Sequence, residues 1–290
     1  MEKQLVGASR ALRQIDHEIN LIAPVAAKVL ITGEPGVGKD LIARLIHQRS
    51  QRTGPFLTIN CAAVPEAVLE SELFGHASGP LAGWLEQARQ GTVFLDNVDQ
   101  LPLHVQAHLL RFLEHSDQRG GPDCPQSASN IRVITATSQN LLERVAMGGF
   151  REDLYYRLNV IHLVIPPLRE RPEDVAPLIT HFLETYSAAR QMPRPVLSEE
   201  GLAKLTAYAW PGNVAELANV MERLVLRGVT PVSPADLPIA IARGPVWSAP
   251  GMVGRSTAYG RYAPTEDGTE SFWPVTSPRG ADRRLLRRRH

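Results

Sequence analysis

The stretch Gly33-Glu34-Pro35-Gly36-Val37-Gly38-Lys39-Asp40 constrains this chain more than any other. An apolar run over residues 28–32 precedes it, and apolar residues recur at helical spacing over 41–46. Strand, glycine-rich turn and helix is the context that a phosphate-binding loop requires. The glycines let successive backbone N–H groups turn inward on a phosphate, and Lys39 can reach its outer oxygens. Asp40 stands where such loops usually carry a Ser or Thr that ligates magnesium. A bare strand-to-helix turn that binds nothing is the plainer alternative. The flanking pattern favours a nucleoside triphosphate.

The rest of the chain suits such a loop. Apolar runs over 56–60, 92–96, 131–136 and 160–165 alternate with helical patterns, which predicts an α/β fold with a parallel sheet flanked by helices. The run over 56–60 is expected to be a short buried strand, 103–115 an amphipathic helix, and 116–130 a Gly/Pro/Ser/Asn-rich loop. Residues 8–22 read as a leading helix. From Arg171 the pattern is helical only, over about 173–190, 198–209 and 213–227, with Ser198 and Pro211-Gly212-Asn213 as helix starts. The expected organisation is a nucleotide-binding α/β domain over 1–170, a small helical domain over 171–243, and a disordered basic tail over 244–290.

At 290 residues and 43% hydrophobic content the chain can bury a proper core, and its net charge of +1 argues neither for nor against nucleic acid. Cys61 and Cys124 form no CxxC pair or disulfide framework, and no apolar run reaches the roughly 18 residues of a membrane span. A soluble cytoplasmic protein with no membrane contact is the expectation. Asp96, ending an apolar strand pattern, suits magnesium, although a lone Asp at a strand end is often only a cap for the next helix. Arg151 and Arg157 follow a Gly148-Gly149 break; surface pairing with Glu152 or Asp153 is their bland reading.

Several further stretches carry a resemblance. They are Asn60-Cys61-Ala62-Ala63, Glu70-Ser71-Glu72-Leu73-Phe74-Gly75-His76, Gly91-Thr92-Val93-Phe94-Leu95-Asp96, the run 150–160, Pro167-Leu168-Arg169-Glu170-Arg171 and Trp210-Pro211-Gly212-Asn213-Val214. With residues 33–40 they run in the order found in the AAA+ domain of bacterial enhancer-binding proteins, the activators of sigma-54 RNA polymerase, which residues 5–240 resemble. The resemblance implies ATP and magnesium as cofactors, Gly33 to Asp40 as the nucleotide loop, and Asp96 and Asp40 near the metal. It implies Arg151 and Arg157 as arginine fingers acting on a neighbouring subunit, hence a hexameric ring.

Four departures qualify what the resemblance implies. The loop after Phe74-Gly75-His76, which bears a GAFTGA sequence and contacts sigma-54 in the family, is shortened here and keeps only an echo in Gly79-Pro80-Leu81-Ala82-Gly83. Asn97 stands in place of the glutamate that polarises the attacking water. An amide orients a water but cannot take its proton, a loss of roughly a hundredfold. Ser138 replaces the asparagine that senses the terminal phosphate, and Ala215 a lid arginine that touches the nucleotide. The expectation is an ATP-binding regulator impaired in hydrolysis and in sigma-54 contact. It would act in a ring with itself or with an intact relative, and no sequence-specific DNA-binding pattern is evident. A slow genuine ATPase that remodels another protein client, chaperone-like, is the alternative.

Overall fold

Five apolar runs predict strands, and the three buried along nearly their whole length lie inside the sheet. The computed structural model describes residues 4–75, 83–118 and 131–242, all within one compact unit. The strands are β1 (Val29–Thr32), β2 (Phe56–Asn60), β3 (Thr92–Asp96), β4 (Arg132–Thr137) and β5 (Ile161–Val164). They form one five-stranded sheet in the order β2-β3-β4-β1-β5, every pair parallel. β1 and β4 are buried along their whole length, and β3 along all but Asp96. A central parallel strand is covered on both faces, so each of its side chains must be apolar or satisfied.

β2 and β5 are the edge strands, and this corrects the expectation for 56–60. β2 buries Ile59 but leaves Thr58 and Asn60 exposed, because one side of the strand has no neighbour.

Helices cover both faces. Before and after β1 come α1 (Arg10–Ile22) and α2 (Lys39–Arg49), whose Ile15, Ile19, Ile42 and Ile46 pack with Val29, Ile31, Phe94 and Ile134. The opposite face takes α3 (Glu66–Phe74), the short α4 (Trp84–Gln87), α5 (Leu103–Gln118), α6 (Leu141–Ala146) and α7 (Glu152–Leu158). There Leu69, Leu109 and Leu154 meet Leu30, Leu95 and Val133. Each fully buried Leu or Ile contributes about 1.5–3 kcal/mol. α5 runs three residues past the expected end, to Gln118, so the loop expected from 116 starts later. The remainder of that loop lies outside the described residues, as do the shortened segment 76–82 and the basic tail.

The helices after the sheet are α8 (Val175–Arg190), α9 (Glu199–Ala207), α10 (Asn213–Arg227) and α11 (Ile239–Ala242). Ser198 caps α9 as expected, its hydroxyl accepting from Gly201 N at 3.0 Å. Their core centres on Trp210, fully buried with Leu183, Leu217, Met221 and Val225 around it. Asp174 ties this helical part to the front of the chain. Its carboxylate accepts from Ala8 N and Ser9 N, both at 2.7 Å, and from Ser9 Oγ at 2.8 Å. Ser9 in turn caps α1. Among the described residues no helix is long and apolar enough to cross a membrane.

Candidate functional site

The strand order leaves the carboxyl ends of β1, β3 and β4 side by side, the position at which open α/β sheets bind ligands. Register aligns them, since Thr32 pairs with Thr137 and Leu95 with Thr135. The loop from Gly33 leaves β1 at this edge. Gly36 and Gly38 take φ of +79° and +105°, which L side chains adopt only with strain. A Cβ on Gly36 would also come within 2.4 Å of Gly212 O. Val37 is buried, and Pro35 and Gly36 form the turn ahead of it.

Lys39 opens α2 and is 9% exposed. Its Nζ donates to Gly33 O at 2.9 Å, Glu34 O at 3.1 Å and Ser138 Oγ at 2.7 Å. Burial pulls its ammonium below the usual lysine range, while Asp96 and Asp99 oppose that shift. Ser138, which replaces the sensing asparagine of the resemblance, thus touches the loop lysine.

Asp96 is half-buried at the tip of β3. Burial pushes its carboxyl above the usual range; the Asn97 N–H, which donates to its Oδ1 at 3.0 Å, and the Lys39 charge pull the other way. Asn97 sits in the left-handed region at φ +55°, and its Nδ2 donates to Asn60 Oδ1 at 3.0 Å. Two amides therefore face each other next to Asp96, and neither takes up a proton near neutral pH. Sequence reasoning missed Asp99, which is 2% exposed and accepts from Thr137 Oγ1 at 2.6 Å, joining the tips of β3 and β4. It stands in the mostly polar stretch Asn97-Val98-Asp99-Gln100, which gives no apolar pattern to mark it as buried.

The loop's two carboxylates are already engaged. Both oxygens of Glu34 take the Arg169 guanidinium, at 2.6 and 2.8 Å, and Asn213 Nδ2 adds a bond at 3.1 Å. The Arg169 bond is the main reason that Glu34 lies below the usual carboxylate range. Asp40 accepts from Arg44 Nε at 2.8 and 3.1 Å, with the Arg44 guanidinium 4.9 Å from the centre of the Phe56 ring. A half-buried carboxylate with a raised pKa is a donor that a hard cation would relieve, so Asp96 fits magnesium. Asp40 fits only by giving up Arg44.

Ala215, in the first turn of α10, presents its backbone N–H rather than a side-chain charge, donating to Gly36 O at 3.1 Å. Arg151 and Arg157 stand at opposite ends of the seven-residue α7. Arg151 is exposed and paired with Asp153, Nε to Oδ1 at 3.0 Å and Nη2 to Oδ2 at 2.7 Å, whereas Arg157 is half-buried in the last turn. Within one chain Arg151 therefore realises its bland reading.

The chain matches the sigma-54 interaction domain over residues 5–164 and the AAA+ ATPase lid domain over residues 169–247. It is 45% identical over 250 residues to the regulatory protein AtoC of Escherichia coli strain K12, spanning 83% of this chain and 54% of that one. Over 236 residues it is 46% identical to the nitric oxide reductase transcription regulator NorR1 of Cupriavidus necator, spanning 78% and 46%. The chain thus spans about half the length of these relatives. Among solved structures, NtrX from Brucella abortus in complex with ATP aligns with a TM-score of 0.74 at 37% identity, spanning 83% of this chain and 57% of that one. Its complex with ADP gives 0.73 at 34%, spanning 84% and 60%.

Proposed function

Since the chain belongs to the sigma-54 interaction domain family, with an AAA+ lid domain behind it, we propose that it binds ATP with magnesium and regulates transcription with a weakened hydrolytic step. The observation that carries the proposal is the pairing at one sheet edge of Lys39, bonded to Gly33 O, Glu34 O and Ser138 Oγ, with Asn97, bonded to Asn60. The first is a charged group held against a glycine loop, which suits the outer phosphates. The second is an amide at the position that would activate water.

Each residue has a stated part. Backbone N–H groups over 36–40 cradle the phosphates, and Lys39 neutralises their charge. Asp96 would hold magnesium, which would supply neutralisation of the phosphate charge. Asn97 orients a water without deprotonating it. Arg151, once it leaves Asp153, is free to meet the terminal phosphate bound by a neighbouring subunit, and Arg157 completes that face. A chain that keeps the groups serving its neighbour and loses those serving itself suits a mixed ring with an intact relative. Contact with sigma-54 polymerase would then come through that relative, in the cytoplasm.

The test is ATP binding beside phosphate release over a range of protein concentrations, with Lys39→Ala as the blank. The proposal expects ATP affinity that Lys39→Ala removes, release near the blank, and a changed rate per site in an intact relative on mixing. Absence of ATP binding refutes it. Rapid release by the chain alone refutes the weakened step and favours the self-sufficient ATPase.

A further inference from the structure

Four consecutive residues of the glycine loop are gripped from the lid side. Arg169 takes the Glu34 carboxylate. Asn213 Nδ2 donates to Pro35 O at 3.0 Å, Ala215 N to Gly36 O at 3.1 Å, and Arg171 Nη2 to Val37 O at 3.2 Å. The last three contacts all end on backbone carbonyls. In a trans peptide the carbonyl of one residue and the N–H of the next point in opposite directions. Holding the carbonyls of Pro35, Gly36 and Val37 toward the lid therefore turns the N–H groups of Gly36, Val37 and Gly38 away from it. The two preceding carbonyls, of Gly33 and Glu34, point instead at Lys39 Nζ. The loop's peptide planes are thus sorted into two sets, one held by the lysine and one by the lid.

The donors are fixed in their turn. Asn213 is fully buried at φ +54°, and its Oδ1 accepts from Leu168 N at 2.8 Å. That bond settles the orientation of the amide, so both Nδ2 hydrogens face the loop, one on Glu34 and one on Pro35. Arg171 is 4% exposed, and its Nη1 lies 3.8 Å from the buried carboxylate of Asp174. The Ala215 N–H belongs to the first turn of α10, where a helix makes no use of it.

We infer that Asn213, Arg171 and the Ala215 N–H are positioning groups for phosphate: they preset the loop's peptide planes, so that the lid governs affinity through the loop backbone instead of by touching the nucleotide. The inference rests on the reading of residues 33–40 as a phosphate cradle. It gives the lid a hold on the site that needs no side-chain charge at position 215.

The test is calorimetric binding of inorganic tripolyphosphate, with ATP in parallel, alongside the melting temperature of the ligand-free protein. Asn213→Asp keeps the acceptor for Leu168 N but faces Pro35 O and Glu34 with a carboxylate oxygen; tripolyphosphate should bind about tenfold more weakly. Ala215→Pro removes one N–H at a helix turn that tolerates proline, and should weaken binding about threefold. Arg194→Gln breaks an exposed ion pair with Glu184 on the lid and touches no loop residue, and should stay within about twofold of the parent. If Asn213→Asp does not fold, Ala215→Pro against Arg194→Gln decides. Folded variants at 213 and 215 that bind as tightly as the parent, or Arg194→Gln weakened as much as those two, overturn the inference. A lowered melting temperature with unchanged affinity also overturns it, since that marks a purely structural role. If the parent itself binds neither tripolyphosphate nor ATP, the cradle reading falls and the inference with it.

Discussion

The loop over residues 33–40 and the tips of β3 and β4 meet at Lys39, yet they differ in kind. The loop side is fully equipped: two glycines at positive φ, a buried lysine with three oxygen partners, and carbonyls held from the lid. The strand-tip side has the metal-suited carboxylate of Asp96, but beside it an Asn97–Asn60 amide pair and a serine hydroxyl at 138. Gripping phosphate needs fixed dipoles and one charge, whereas cleaving it needs a group that handles a proton. On the proposed reading the first requirement is met here and the second is not.

The largest expected effect breaks the loop side. Lys39→Ala removes the buried ammonium held against the glycine loop, and ATP affinity by calorimetry should fall about a hundredfold. A loss below about threefold would mean that the loop does not carry the binding. Next comes Gly36→Ala, which places a Cβ 2.4 Å from Gly212 O on a φ of +79°. Strain there costs about 1–3 kcal/mol, so the melting temperature should drop by about 5 °C. An unchanged melting curve would show that loop and lid part freely.

The smallest effect sharpens the strand-tip side. Asp96 has a raised pKa through burial, so its ionised form costs the folded state stability. Below the unfolded carboxylate range, near pH 4, the group is protonated in both states and costs nothing. As pH rises through the folded pKa the cost becomes complete. Asp96→Asn should therefore melt slightly above the parent at pH 7, with the gap closing as the pH is lowered. A variant that melts below the parent at pH 7 would mean that the carboxylate is stabilised in the ligand-free fold.

Much of this arrangement is legible in sequence because its signals are local. The glycine loop lies between an apolar run and a helical pattern, and the central strands β1, β3 and β4 announce themselves by burial on both faces. Edge position is not local: β2 reads as buried until its neighbours are known. The directions of side chains are less legible still. Glu34 belongs to the loop in sequence, but its carboxylate faces a lid amide 179 positions away. Asp174 holds the cap residue Ser9, 165 positions away, and Asp99 meets Thr137 across 38. Such pairs depend on how elements distant in sequence meet, which periodicity does not encode. Asn97 was legible as a departure, whereas its partner Asn60 needed the β2–β3 register.

The most direct test is steady-state phosphate release by Asn97→Glu beside the parent chain, at matched ATP occupancy and with Lys39→Ala as the blank. The account predicts a parent rate close to the blank and a gain of about a hundredfold on restoring a carboxylate beside Asp96. A parent that already turns over well above the blank, with no gain from Asn97→Glu, would contradict it.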